Sequence, residues 1–305
     1  MAQTASCDIA VLVPCFNEAP TIAKVVGDFR RALPEATVFV FDNNSTDTTA
    51  ELARQAGAVV FREKRQGKGY VVAAMLEKVD ARCYLMVDGD DTYPAESARD
   101  LLTPVMEDRA DMVVGRRQAA DLDASYPRFH VFGNWLVRTL INVIFGSNLT
   151  DIMSGYRAFN RMIARNMPIL AIGFDIETEV TLQCLYRRWI IREVPVAYRP
   201  RPPGSVSKLN TFSDGLRVLF RILNLFRSYK PLTFFGGVGI VFFLIALAAA
   251  VWGAGLETAA NRAVMFIAAG VSMVTSLISI GIGVTVQLVN FRFLELDSVL
   301  RRKDR

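Results

Sequence analysis

Short apolar runs alternate with amphipathic periods through the first 120 residues. Residues 9–14, 37–42, 58–61, 83–88 and 112–115 are β-branched or apolar and of strand length, and helical periods near 20–33, 46–56, 68–79 and 95–107 fall between them. Strands separated by single helices predict an α/β domain on a doubly wound, mainly parallel sheet. Ligands of such sheets bind beyond the carboxyl ends of the strands. There the sequence gathers its polar residues: Pro14-Cys15-Phe16-Asn17-Glu18, Asp42-Asn43-Asn44-Ser45-Thr46-Asp47 and Asp88-Gly89-Asp90-Asp91. Three clusters on one rim predict a single site.

The pattern then changes. Residues 128–146 (RFHVFGNWLVRTLINVIFG) are apolar with scattered charge, and 213–229 put Arg217, Arg221 and Asn224 on one helical face among Leu, Val, Ile and Phe. Both read as amphipathic helices lying in a membrane interface, with core helices of the domain as the alternative. Two charge-free stretches, about 231–253 and 263–290, each exceed the ~20 residues that cross a hydrocarbon core and predict a transmembrane hairpin. The implied organisation is an α/β domain over 1–212, an interfacial helix over 213–230, the hairpin over 231–290 and a basic tail over 291–305. Arg217, Arg221, Arg227 and Lys230 precede the hairpin and Arg292, Arg301, Arg302, Lys303 and Arg305 follow it, while the connector holds only Arg262. The positive-inside rule places both ends in the cytoplasm, at the inner membrane of a prokaryotic cell.

Composition agrees with a soluble domain plus an anchor: 305 residues are 52% hydrophobic, with a mean hydropathy of +0.28. The net charge of +5 and pI near 9.1 arise from arginine-rich stretches late in the chain, which suit anionic lipid or phosphate; nucleic acid is not an expected partner. Cys7, Cys15, Cys83 and Cys184 lie far apart without metal-ligand spacing and read as reduced core residues. The opening MAQTASCD has no basic and apolar leader pattern, so no cleavable signal is expected.

The strongest chemical signal is Asp88-Gly89-Asp90. Two carboxylates one residue apart at a strand end can face one hard divalent cation, which would neutralise a departing nucleotide diphosphate. Acidic turns are common, and position after an apolar strand gives this one its weight. Gln66-Gly67-Lys68-Gly69 suits close approach of backbone to a phosphate, or is a plain turn before a helix. Walker A and G-x-G-x-x-G patterns are absent, so ATPase and dinucleotide-binding readings lose their support. Arg116, Arg117, Arg157, Arg199, Arg201 and Lys208 are candidates to grip a phosphate, because an arginine fork binds phosphate oxygens bidentately; each could also be a solvated charge. A phosphate monoester in the role of acceptor would be largely a dianion at neutral pH and would need no strong base. Asp151 is the candidate base or orienting group, with a structural role equally open, and Glu177 and Glu179 come next. His130, the only histidine, fits packing or a lipid interface better than catalysis.

At these residues the sequence resembles glycosyltransferase family 2, with its GT-A-type fold, and within it the polyprenyl-phosphate glycosyltransferases typified by dolichol-phosphate mannose synthase. The matching stretches, in the family's order, are VPCFNEAPTI (13–22), DNNSTDTT (42–49), QGKGYVVAAM (66–75), VDGDDTYP (87–94), VVGRR (113–117), TDIMSGYRAF (150–159) and SVSKL (205–209). The resemblance implies a nucleotide-sugar site lined by Pro14, Phe16, Glu18, Asp42, Asn43, Lys68 and Gly89, with Asp88 and Asp90 holding Mg²⁺ or Mn²⁺. It further implies inverting transfer of a hexose-type sugar from a UDP- or GDP-linked donor to undecaprenyl or dolichyl phosphate, in contact with membrane lipids, and leaves a homo-oligomer through the hairpin open. Asp91-Thr92 stands where mannose synthases commonly carry Leu-Gln, which leaves the sugar and a third metal ligand open. Two rivals share the fold. A processive polysaccharide synthase usually carries Q-x-x-R-W, whereas here four residues separate Gln183 from Arg188-Trp189; a non-catalytic scaffold would not need Asp88, Asp90 and Asp151.

Overall fold

The computed structural model describes residues 5–118, 128–170, 173, 176–202, 223–224 and 226–303, with backbone alone for 128–134, 294 and 297–303. The chain forms two compact units, Met1–Leu219 and Phe220–Arg305.

The first unit is an α/β domain. Strands β1 (Ala5–Cys15), β2 (Thr37–Asp42), β3 (Val59–Arg62), β4 (Val79–Met86) and β5 (Met112–Arg117) alternate with helices α1 (Ile22–Ala32), α2 (Thr49–Gln55), α3 (Lys68–Lys78) and α4 (Ala98–Met106). These are the strands and helices that the apolar periods predict. Helix α1 shows the cause: Ile22, Val25, Val26 and Phe29 recur at helical spacing and all four are buried. After α5 (Arg128–Phe145) come β6 (Arg157–Asn160), α6 (Arg161–Asn166), α7 (Ile176–Tyr186) and β7 (Ile191–Val196). Strands β6 and β7 escaped the sequence reading, because four residues, RAFN, and a run interrupted by Arg192, Glu193 and Pro195 carry little apolar alternation.

The seven strands lie in the order β3-β2-β1-β4-β6-β5-β7, all parallel to their neighbours except β6. Alternate sheet residues face two cores. One packs Val11, Val13, Leu85 and Val113 against α1 and α4, and the other packs Leu12, Phe41, Met86 and Val114 against α3, α6 and α7. Register sets the rim. Cys15 lies beside Asp42, and Leu12 beside Met86, so the loops after β1, β2 and β4 emerge together. Because β6 runs backwards, its first residue, Arg157, pairs with both Met86 and Val114, and the preceding loop comes to the same rim. Strand β7 ends beside β5, with Val196 opposite Arg117, which carries residues 197–202 there too.

Helix α5 covers much of the apolar stretch expected at an interface. It buries Val137 and Ile141 and exposes Trp135 and Val143. The side chain of His130 lies outside the described set, as do all of residues 213–222, the first part of the second amphipathic stretch.

The second unit holds two apolar helices long enough to cross a membrane, α8 (Pro231–Ala254) and α9 (Ala259–Lys303). Small residues let their backbones approach: Ser276 Oγ donates to Gly239 O at 2.7 Å and Ser279 Oγ to Phe235 O at 2.8 Å. A Cβ at Gly239 would lie 2.6 Å from Ile280 Cγ1. Large apolar side chains such as Ile240, Leu244, Val271 and Leu277 remain exposed on these helices. Helix α9 does not stop near residue 290. Its sequence loses hydrophobicity there but meets no Pro or Gly, so the helix continues to Lys303.

Candidate active site

Strand β4 delivers the 88–91 turn to the rim, and neighbouring elements pin it. Thr21 Oγ1, at the start of α1, donates to Gly89 O at 2.7 Å. A Cβ at Gly89 would lie 2.6 Å from Cys15 Sγ, so only glycine fits there without displacement. Asp91 adopts a left-handed φ of 61° and meets Lys24 Nζ at 2.6 Å, which turns its carboxylate toward α1.

The two carboxylates of Asp88 and Asp90 face different cations. Lys68 Nζ lies 2.6 Å from Asp88 and 2.5 Å from Glu177, bridging the start of α3, the end of β4 and the first turn of α7. Asp90 accepts from Thr92 Oγ1 at 2.7 Å through one oxygen and meets Arg201 at 2.7 Å through the other. Burial pushes the Asp90 carboxyl above its ordinary range and the neighbouring Asp88 charge adds to this, against the pull of Arg201. Burial works to lower the Lys68 ammonium, but Asp88 and Glu177 outweigh it and push it above its ordinary range.

On the β1–β2 side the loops are laced together. Asn17 N donates to Ser45 Oγ, Thr46 N to Asn17 Oδ1, and Glu18 N to Thr49 Oγ1. Pro14 and Glu18 are buried here, and Phe16 is half-buried. Asp42 accepts from Ser45 N. Asn43 differs from the expectation of a ligand contact. Its amide donates to Glu63 O and Arg65 O while its oxygen accepts from Gly67 N at 2.8 Å, so it ties the 63–67 loop in place.

The 151–157 loop is held more tightly still. Asp151 accepts from Arg117 N, Nε and Nη2 at 3.0, 2.8 and 2.9 Å, while Glu193 accepts from the backbone N–H groups of Thr150 and Asp151. Burial works to raise the Asp151 carboxyl, but the bonds and charge of Arg117 prevail and hold it below the usual range. Both oxygens are engaged, so this carboxylate orients Arg117 and is poorly disposed to act as a base. Gly155 packs on Asp88; a Cβ there would overlap the carboxylate.

The six cations expected to grip a lipid phosphate divide. Arg157 is a correction: it is fully buried, with Nε donating to Ser154 O, Nη1 to Thr181 Oγ1 and Nη2 to Ile152 O. It braces the loop from within and presents nothing to a ligand. Arg117 is committed to Asp151, and exposed Arg199 points to Glu96 at 3.7 Å. Arg201 reaches Asp90. Arg116 is half-buried at the end of β5 and makes no ion pair among the described residues. Lys208, with the SVSKL stretch, lies outside the described residues.

Glu177 was legible only as a secondary candidate. Its signal is that α7 buries Glu177, Thr178, Glu179, Thr181 and Gln183 together, an unusual polar content for an interior helix. Among the described residues no group of three His, Cys, Asp or Glu side chains gathers as a metal site. Asp88 and Asp90 nevertheless suit a hard cation of the kind held by one or two carboxylates with water and substrate phosphates supplying the rest.

Comparison with known proteins identifies the family and the fold. The chain is 38% identical over 232 residues to glycosyltransferase AglJ of Haloferax volcanii, covering 76% of each chain. It is 29% identical over 211 residues to a dolichyl-phosphate hexose transferase of the same organism, covering 69% of this chain and 90% of that one. In fold it is similar to glucosyl-3-phosphoglycerate synthase of Mycobacterium tuberculosis, crystallised with Mn²⁺, UDP-glucose and phosphoglyceric acid. The TM-score is 0.60 at 20% identity, over 72% of this chain and 79% of that one, a likeness of GT-A architecture. The sequence profile of glycosyl transferase family 2 matches residues 10–167, and the chain therefore belongs to that family.

Proposed function

We propose that this glycosyltransferase moves a hexose-type sugar from a UDP- or GDP-linked donor to a polyprenyl phosphate, with inversion, at the cytoplasmic face of a membrane. The observation that carries the reading is the pairing, in one chain, of an Asp88/Asp90 rim flanked by Lys68 and Arg201 with a unit made of two long apolar helices. The dolichyl-phosphate hexose transferase relative supports the acceptor class. Basic residues before α8 and after Asn290 favour the cytoplasmic placement of the α/β domain.

Asp88 and Asp90 would hold Mg²⁺ or Mn²⁺, which supplies charge neutralisation to the leaving diphosphate. Lys68 and Arg201 stand where they can share that charge. The acceptor phosphate is already ionised, with a second pKa of ~6, so the chain needs groups that grip and aim it. Arg116, half-buried at the end of β5 and without an ion pair among the described residues, is the candidate for that task. The engaged state of Asp151 accords with a reaction that needs no strong base.

The test supplies membranes bearing the protein with radiolabelled UDP-glucose, UDP-N-acetylglucosamine or GDP-mannose and with undecaprenyl or dolichyl phosphate. We expect labelled lipid from one donor, suppressed by EDTA. Arg116→Ala should raise the lipid-phosphate KM about ten- to a hundredfold, as loss of one charge-assisted contact worth ~1.5–3 kcal/mol predicts. Label in a polymer alone, or in no lipid with any donor, would overturn the acceptor assignment.

A further inference from the structure

Asp88 and Asp90 each meet a cation brought from a distant part of the chain: Lys68 from the start of α3, and Arg201 from the segment after β7. Lys68 is largely enclosed and its second partner, Glu177, is buried. These contacts set a conflict for any divalent cation arriving alone. Bound between Asp88 and Asp90, it would take both carboxylates from their partners and stand within a few ångströms of an ammonium and a guanidinium. Like charges so close, in a poorly solvated rim, oppose each other strongly. The conflict disappears when the cation brings its own anion.

We propose that Lys68 and Arg201 are exchangeable caps, which neutralise Asp88 and Asp90 in the resting protein and pass to the phosphates of a nucleoside diphosphate as a divalent cation takes the two carboxylates. This rests on the reading of the rim as the donor site. Glu177 gives the exchange its hinge. It keeps one partner for Lys68 throughout, so the ammonium is never left buried without a counter-charge and moves only from Asp88 toward the incoming phosphate. Cation and nucleotide then bind as a unit, each tightening the other by the same factor. Lys68 and Arg201 thus decide when the carboxylates become available.

Electron paramagnetic resonance of Mn²⁺ added to the full chain in detergent, alone, with UDP and with GDP, decides the matter. In the wild type we expect weak binding of Mn²⁺ alone and at least tenfold tighter binding with one of the two nucleotides. Lys68→Met should bind Mn²⁺ alone more tightly and lose most of the nucleotide-induced gain, while Lys68→Arg should keep that gain. Arg201→Met, at a partly exposed side chain, should act in the same direction and decides the question if Lys68→Met does not fold. A simple repulsive field would instead tighten Mn²⁺ equally with and without nucleotide in both variants, and that result overturns the exchange. So does unchanged or weaker binding of Mn²⁺ alone in both. A wild type that binds Mn²⁺ under none of the three conditions would remove the metal-dependent donor site itself, and the exchange with it.

Discussion

The 88–91 turn and the 151–157 loop stand at one rim of one sheet and bury carboxylates to a similar degree, with Asp90 3% and Asp151 9% exposed. Their charges are handled in opposite ways. Asp90 sits close enough to Asp88 for burial and like charge to push its carboxyl up, and its cationic partner comes from outside the turn. Asp151 is held down by an arginine that grips it with backbone and guanidinium together, and the loop behind it is braced by buried Arg157. Crowded negative charge with borrowed partners is the arrangement a cation can enter. A carboxylate saturated by a neighbouring fork is one that holds shape. Acidic residues on a shared rim thus acquire separate tasks from their partners.

The largest break in this comparison should come from Asp88→Asn or Asp90→Asn. If the turn holds the charge that neutralises the leaving diphosphate, either change should lower turnover by on the order of 10³, about 4 kcal/mol, with the protein still folded. Labelled-lipid formation measures the first effect and circular dichroism the second. Retained turnover would place the essential charge elsewhere.

Arg157→Met should show the reverse balance. It leaves Ser154 O, Ile152 O and Thr181 Oγ1 without their buried donor. At about 1–3 kcal/mol for each orphaned group, offset by no longer burying a charge, we expect a net loss of about 3 kcal/mol, or roughly 6–12 °C in thermal melting. An unchanged melting temperature with a raised lipid-phosphate KM would restore Arg157 to the acceptor site.

Asp151→Asn sharpens the contrast through pH. The folded Asp151 carboxyl lies below its unfolded value, so its contribution is present above the unfolded pKa of ~3.9 and is lost as pH falls through the folded one. The variant should be less stable than the wild type by about 3 kcal/mol at pH 7, and the gap should close in acid. Urea titrations at pH 7 and below 4 measure it; a gap independent of pH would mean that the charge of Asp151 is not what holds Arg117.

The smallest effect is expected at Lys24, whose exposed ammonium ties Asp91 to α1. Lys24→Ala should cost less than ~1 kcal/mol, as solvent screens the pair, and should change turnover only a fewfold, because Thr21 still fixes Gly89 O. A loss of turnover like that of Asp88→Asn would show that Lys24 sets the turn.

Apolar periodicity in the first 120 residues was enough to fix the α/β class, because each strand and helix there buries a regular stripe, as Ile22, Val25, Val26 and Phe29 do. The polar clusters after β1, β2 and β4 could be placed on one rim for the same reason, since parallel strands share their carboxyl ends. The two apolar helices were equally legible from hydropathy alone. Partners were not. Which cation faces Asp88 or Asp90 depends on α7 and on the segment after β7, more than 80 residues away in the chain. The inward turn of Arg157 follows from the antiparallel entry of β6, a strand too short to announce itself in sequence. Periodicity records what each element buries along its own length. The pairing of charges is a contact between elements, and only the register of the folded sheet decides it.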